Sequence, residues 1–98
     1  MPPVTRTNVD PSTGHGGYVP RPSTPNGSTD TFVNGQGTVR VTDAWPDHTD
    51  PGPPDTHGSN QSSGSSTVFV NGLALARIGD AISCGDLCAA GSPDVISG

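Results

Sequence analysis

The sequence nearly repeats itself. Residues 32–44 read FVNGQGTVRVTDA and residues 69–81 read FVNGLALARIGDA. Phe, Val, Asn, Gly, Arg, Asp and Ala recur at an offset of 37 residues, and Val41 corresponds to Ile78. A repeat of this length marks one small structural unit used several times, each burying its apolar face against its neighbours. Residues 95–98, VISG, read as a third copy cut short after its first strand. Each copy follows a small polar lead-in: Ser28-Thr29-Asp30, Ser65-Ser66-Thr67 and Gly91-Ser92-Pro93-Asp94. The repeats therefore span about 28–44, 65–81 and a truncated 92–98 within a single expected domain, 1–98.

Each full copy predicts a β-hairpin. Phe32-Val33 and Phe69-Val70 favour strands, and Asn34-Gly35 and Asn71-Gly72 favour the tight turn whose central residues need positive φ. The return strands are expected at Thr38–Val41 and Ala74–Ile78, with Asp43 and Asp80 starting the following loops. Loops rich in Pro, Gly and Ser fill 10–29, 45–66 and 82–94, and 50–66 shows no strand or helix period, so it reads as a linker.

Such loops raise the question of what holds the chain together. Hydrophobic residues make up 29% of the 98, while Gly and Pro contribute 25, a balance that alone points to disorder. There is no Lys and no Glu; all nine acidic residues are Asp and all four basic ones Arg, so strong helix formers are scarce. Short strands and turns remain, and a staple other than a large core is needed. The formal charge of −5 argues against nucleic acid and against anionic membrane surfaces. No apolar run is long enough to span a bilayer, and the start, MPPVTRTNVD, lacks the apolar core of a signal peptide, so synthesis in the cytoplasm is expected.

His15, His48, His57 and Cys84 all fall in the expected loops. Three imidazoles and a thiolate suit tetrahedral Zn²⁺, and binding by converging loops would stabilise the fold directly. The spacing matches no zinc finger, so the pattern leaves a second reading open, in which three loop histidines face water. Cys88 is expected as a buried free thiol, with a disulfide to Cys84 or a metal role as alternatives. Catalysis finds little support. There is no nucleophile-elbow pattern, the Gly-rich Gly14-His15-Gly16-Gly17 is followed by no helix or Lys, and the carboxylate of Asp47 beside His48 fits orientation of a ligand as well as acid–base work.

Phe69-Val70-Asn71-Gly72-Leu73-Ala74-Leu75-Ala76-Arg77-Ile78-Gly79-Asp80 resembles the repeat of PAAR proteins, with Leu75 standing where that family has Ala. Asp80-Ala81-Ile82-Ser83-Cys84-Gly85 is similar to the family's segment ending in a metal-binding Cys, and Gly14-His15-Gly16 with Tyr18-Val19-Pro20-Arg21-Pro22 to its first His segment. The first copy departs from the pattern, reading Thr38-Val39-Arg40-Val41-Thr42-Asp43. The resemblance covers about 4–98. It implies a mainly β cone of short hairpins and long loops with pseudo-three-fold repeats. It also implies a metal near the tip, zinc rather than iron, bound by His15, His48, His57 and Cys84.

By the same resemblance, the partner is a trimeric central spike. One chain, monomeric by itself, would cap each trimer and meet the target membrane only mechanically. The expected role is the sharp tip of a contractile tail, a phage baseplate or related injection particle, which the short chain without an appended effector favours; the tip of a type VI secretion system is the alternative. From other classes, a zinc hydrolase would need an open coordination position, and a disordered linker would give a collapsed NMR spectrum.

Overall fold

The computed structural model describes residues 2–21, 24–52 and 54–98; Pro22, part of the Arg21-Pro22 pair above, lies outside them. Six strands pair into three antiparallel two-stranded sheets, and no helix occurs among the described residues. They are β1 (Phe32–Val33) with β2 (Gln36–Gly37), β3 (Ala44–Pro51) with β4 (Pro54–Asn60), and β5 (Phe69–Val70) with β6 (Leu73–Ala74). The body is elongated, 39 × 23 × 23 Å.

The two Asn-Gly pairs form two-residue turns. Asn34 and Gly35 have φ of 52° and 79°, Asn71 and Gly72 of 53° and 78°, with Val33 opposite Gln36 and Val70 opposite Leu73. Asn tolerates this left-handed region and Gly enters it freely, so both positions suit a twist-matched hairpin. The return strands are shorter and earlier than expected, because the residues beyond β2 and β6 leave their own hairpins for neighbouring copies. Arg40 pairs with Leu75, Arg77 with Val4 and Arg6 with Thr38.

These pairings close a ring. Val39 donates its N–H to the Thr5 carbonyl (3.2 Å), Thr5 to Ala76 (3.1 Å) and Ala76 back to Val39 (2.9 Å). Three segments, 4–6, 38–40 and 75–77, thus occupy equivalent places about a pseudo-three-fold axis. Each ends in an Arg whose Nε and backbone N–H are both held by one Asp oxygen: Arg6 by Asp10, Arg40 by Asp43, Arg77 by Asp80. The lead-ins follow suit. Ser28, Ser65 and Ser92 each accept, at the side-chain oxygen, the N–H two and three residues onward.

The third copy does not stop without a return strand. Pro3 pairs with Ile96, Ser97 donates its N–H to Pro2 at 3.0 Å, and Val4 donates to Val95 at 3.0 Å. Residues 2–4 are the third hairpin's missing half, and Ile96 takes the place that Phe32 and Phe69 have in the other two.

A larger correction concerns 45–66, expected as loop. Up to Asn60 it belongs to the longest hairpin, β3–β4, with His48 opposite His57, Thr49 opposite Thr56 and a bulge between Trp45 and His48. Little of it is buried, and cross-strand contacts hold it instead, among them a Thr49–Thr56 hydroxyl hydrogen bond of 2.8 Å. Its root is buried. Trp45 packs with Val39, Ala76, Ile82 and Cys88, while Val4, Val70 and Leu75 form a second small cluster. The core is as thin as the composition implies. Buried hydrogen bonds supplement it: Gln61 Oε1 accepts from Trp45 Nε1 (2.9 Å) and lies 3.3 Å from Cys88 Sγ, and Gln61 Nε2 donates to the Ser63 and Ala81 carbonyls.

Candidate metal centre

His15, His48, His57 and Cys84 come from distant parts of the chain, yet their ligand atoms all lie within 4.8 Å of one another. Three devices bring them there. His48 and His57 face each other across β3–β4. His15 sits in a tight turn closed by reciprocal backbone hydrogen bonds with Tyr18. Cys84 follows Ile82, which is anchored in the core, in a turn closed by Gly85 N–H to the Ile82 carbonyl. Two of the histidines therefore stand on strands rather than in loops as expected.

All three imidazoles present Nε2. The His15–His48, His15–His57 and His48–His57 Nε2 separations are 3.1, 3.2 and 2.7 Å, and Cys84 Sγ lies 3.9 Å from His48 Nε2. Nitrogens about 2.0–2.1 Å from a tetrahedral ion stand about 3.3 Å apart, so the set has nearly the required span. The tautomer of His48 is fixed: its Nδ1 lies 2.9 Å from the Val19 carbonyl, which can only accept, so Nδ1 carries the proton and Nε2 is free to bind. A cation among the three Nε2 atoms would let all three imidazoles present their lone pairs to one point. The donor set therefore fits a borderline metal ion with no open protein position.

The surroundings favour ligation. Burial pushes the His48 pKa down, more than the Val19 carbonyl raises it, which keeps the imidazole neutral. Burial also pushes the Cys84 thiol up, but the Ser59 hydroxyl, the backbone at Asp86 and the Arg21 guanidinium together outweigh it and bring the pKa down. Tyr18 covers the imidazoles, with ring centroids 4.2–5.0 Å from all three, and its hydroxyl donates to Asp55. That hydrogen bond to Asp55 raises the phenol to about 12, so the ring stays neutral.

Cys88 is buried and free, packed in the Trp45 cluster and outside the four-residue set. Burial raises its thiol to about 11. Cys84 is free as well, so the two form no disulfide. Sequence reasoning passed over Arg21 and Asp86. Arg21 is completely buried, with Nη1 3.3 Å from Asp86 and Nη2 3.1 Å from Cys84 Sγ. No local signal joins residues 65 apart; the only hint was that three of the four arginines have an Asp three or four positions onward and Arg21 does not.

No curated protein matches the chain in sequence. A family model, the PAAR motif, matches residues 9–90. With all-β hairpins in a closed ring and a His/Cys group able to hold a metal beside it, the chain belongs to the PAAR-motif family, spike-tip proteins of contractile injection systems.

Proposed function

We propose that one copy of this chain caps the trimeric β-helical central spike of a contractile tail, a phage baseplate or a related injection device, and leads it through the target envelope. In this reading zinc, bound by His15, His48, His57 and Cys84, stiffens the leading hairpin, and the protein carries no catalytic centre. A closed set of four protein ligands serves structure rather than reaction.

The observation that carries the reading is the Thr5–Val39–Ala76 ring. A trimer ends in three equal strand edges, and exposed edges invite unwanted pairing. A single chain with three equivalent segments can meet all three at once, without a symmetry mismatch. The apolar side chains agree. Phe32, Phe69 and Ile96, at equivalent places on the three hairpins, are 59%, 59% and 54% exposed, an apolar surface that a partner would cover. A docking face of this kind depends on apolar and backbone contacts rather than on charge. Within the chain all four arginines are already paired with aspartates.

Native mass spectrometry of the chain mixed with the spike protein of its own particle tests the reading. The expected mass is one chain per spike trimer, with the free chain monomeric. Three chains per trimer, or a stable homotrimer of the chain alone, would overturn it.

A further inference from the structure

We infer that Arg21 is a positioning residue for the metal centre, holding the Cys84 sulfur in the direction from which it binds, with Asp86 as the anchor that holds Arg21. The inference rests on the reading of Cys84 as a ligand.

The other three arginines lie at the rim of the ring, partly exposed, each gripped by an Asp three or four residues onward. Arg21 has no such neighbour and no exposed atoms. Its backbone is fixed by Ser12, whose hydroxyl oxygen accepts the Arg21 N–H at 2.8 Å. Its Nη1 reaches one oxygen of Asp86 at 3.3 Å, its Nη2 reaches Cys84 Sγ at 3.1 Å, and Nε has no hydrogen-bond partner among the described residues.

A guanidinium this deeply buried is costly unless anions compensate it. One carboxylate oxygen at 3.3 Å is a loose partner, well short of a two-pronged pair. Asp86 is itself occupied: its other oxygen accepts from the Thr13 hydroxyl (3.0 Å) and the Leu87 N–H (2.8 Å). The second anion available to Arg21 is the sulfur of Cys84. A neutral thiol would accept only a weak hydrogen bond there, whereas a metal-bound thiolate accepts a charge-assisted one. Asp86 also stands behind His48: the same oxygen that Arg21 reaches lies 3.8 Å from His48 Nδ1. Arg21 and Asp86 thus link the Cys ligand to a His ligand, and partners one step behind a metal commonly change affinity about 10–100-fold when removed.

Titration with Co²⁺ tests this, because it reports geometry through its d–d bands and the sulfur through the thiolate-to-cobalt charge-transfer band. Four variants are compared with the parent chain: Cys84→Ser, Arg21→Lys, Arg21→Met, and Arg21→Met with Asp86→Asn, which leaves no lone buried carboxylate. Cys84→Ser should abolish the charge-transfer band; if it leaves the band intact, the reading of Cys84 fails, and this inference with it. Given that loss, Arg21→Met and the double variant should bind Co²⁺ about 10–100-fold more weakly and move the charge-transfer band to longer wavelength. Arg21→Lys should recover part of the affinity. A purely structural role would lower the melting temperature yet leave the band where it was. Parent affinity and an unmoved band in Arg21→Lys, and in whichever Met variant folds, would overturn the inference while leaving Cys84 a ligand.

Discussion

His48 and His57 are directly opposed across β3–β4, and their Nε2 atoms lie 2.7 Å apart. A cross-strand pair this close would act as a clasp once an ion joins it to His15 and Cys84. The hairpin has little apolar surface to hold it shut, so the clasp matters more here than in a strand pair packed on a core.

Folded protein should therefore contain about one zinc per chain, measured by elemental analysis. Chelation should lower the melting temperature and speed amide exchange in 44–60 first, while the ring amides of Val39 and Ala76 stay protected. Folded protein carrying neither zinc nor iron would contradict this.

The two cysteines should part company. Cys84→Ser should lose the metal. Cys88→Ser should keep it and cost about 1 kcal/mol, since a hydroxyl replaces a thiol in the Trp45 cluster but can still donate to Gln61. Metal content and thermal unfolding of the two variants decide the matter; equal loss of metal would bring Cys88 into the site.

Thr42 has φ of 83°, a strained choice for a β-branched side chain, while Gly79 occupies the same turn position in the next copy at 87°. Thr42→Gly should stabilise by about 0.5–1 kcal/mol, and Gly79→Thr should destabilise by about 1 kcal/mol or more. Denaturant titration reads both. A Thr42→Gly variant weaker than the parent would show that the Thr side chain compensates its own strain.

Acid should loosen the turns that join the copies. The Asn71 amide and the Ser28 hydroxyl hold the Asp30 carboxyl below its ordinary 3.8, and Asn34 and Ser92 do the same for Asp94. A carboxyl lowered on folding contributes stability that is complete above about pH 3.8 and is lost as pH falls through the depressed folded value. In Asn71→Ala, the Asp30 titration followed by NMR should move up towards 3.8 while Asp94 stays low. Movement of both would mean that the turns are coupled.

Docking should be separable from folding. Phe32→Ser with Phe69→Ser removes exposed side chains and should leave the melting temperature within a few degrees of the parent, while binding to the spike trimer falls at least tenfold. Unchanged binding would move the docking face elsewhere.

What the sequence disclosed was the part governed by local rules. Asn34-Gly35 and Asn71-Gly72 name their own turns, and the repeat names their equivalence. The β3–β4 hairpin stayed hidden because its register follows no apolar alternation, and Pro46, Pro51 and Pro54 argue against strand; it forms as a hairpin with no further strand beside it among the described residues, where missing N–H donors cost little. Val4-Thr5-Arg6 also carried a signal, since it parallels Thr38-Val39-Arg40, but its Asp lies four residues after the Arg instead of three. The Arg21–Asp86 contact lies beyond any local pattern, because only the completed fold brings those loops together.

The pairing of 95–97 with 2–4 puts the two chain ends where the other copies have an Asn-Gly turn. Topologically the backbone is a nearly closed loop, interrupted at one of three interchangeable corners. Bridging Gly98 to Pro2 with a short turn would make it circular, and nicking at Asn34-Gly35 or Asn71-Gly72 would then give permuted chains with the same ring. Such permutants need form no new contact, because every strand would keep its neighbour; only the order in which the ribosome delivers the strands would change.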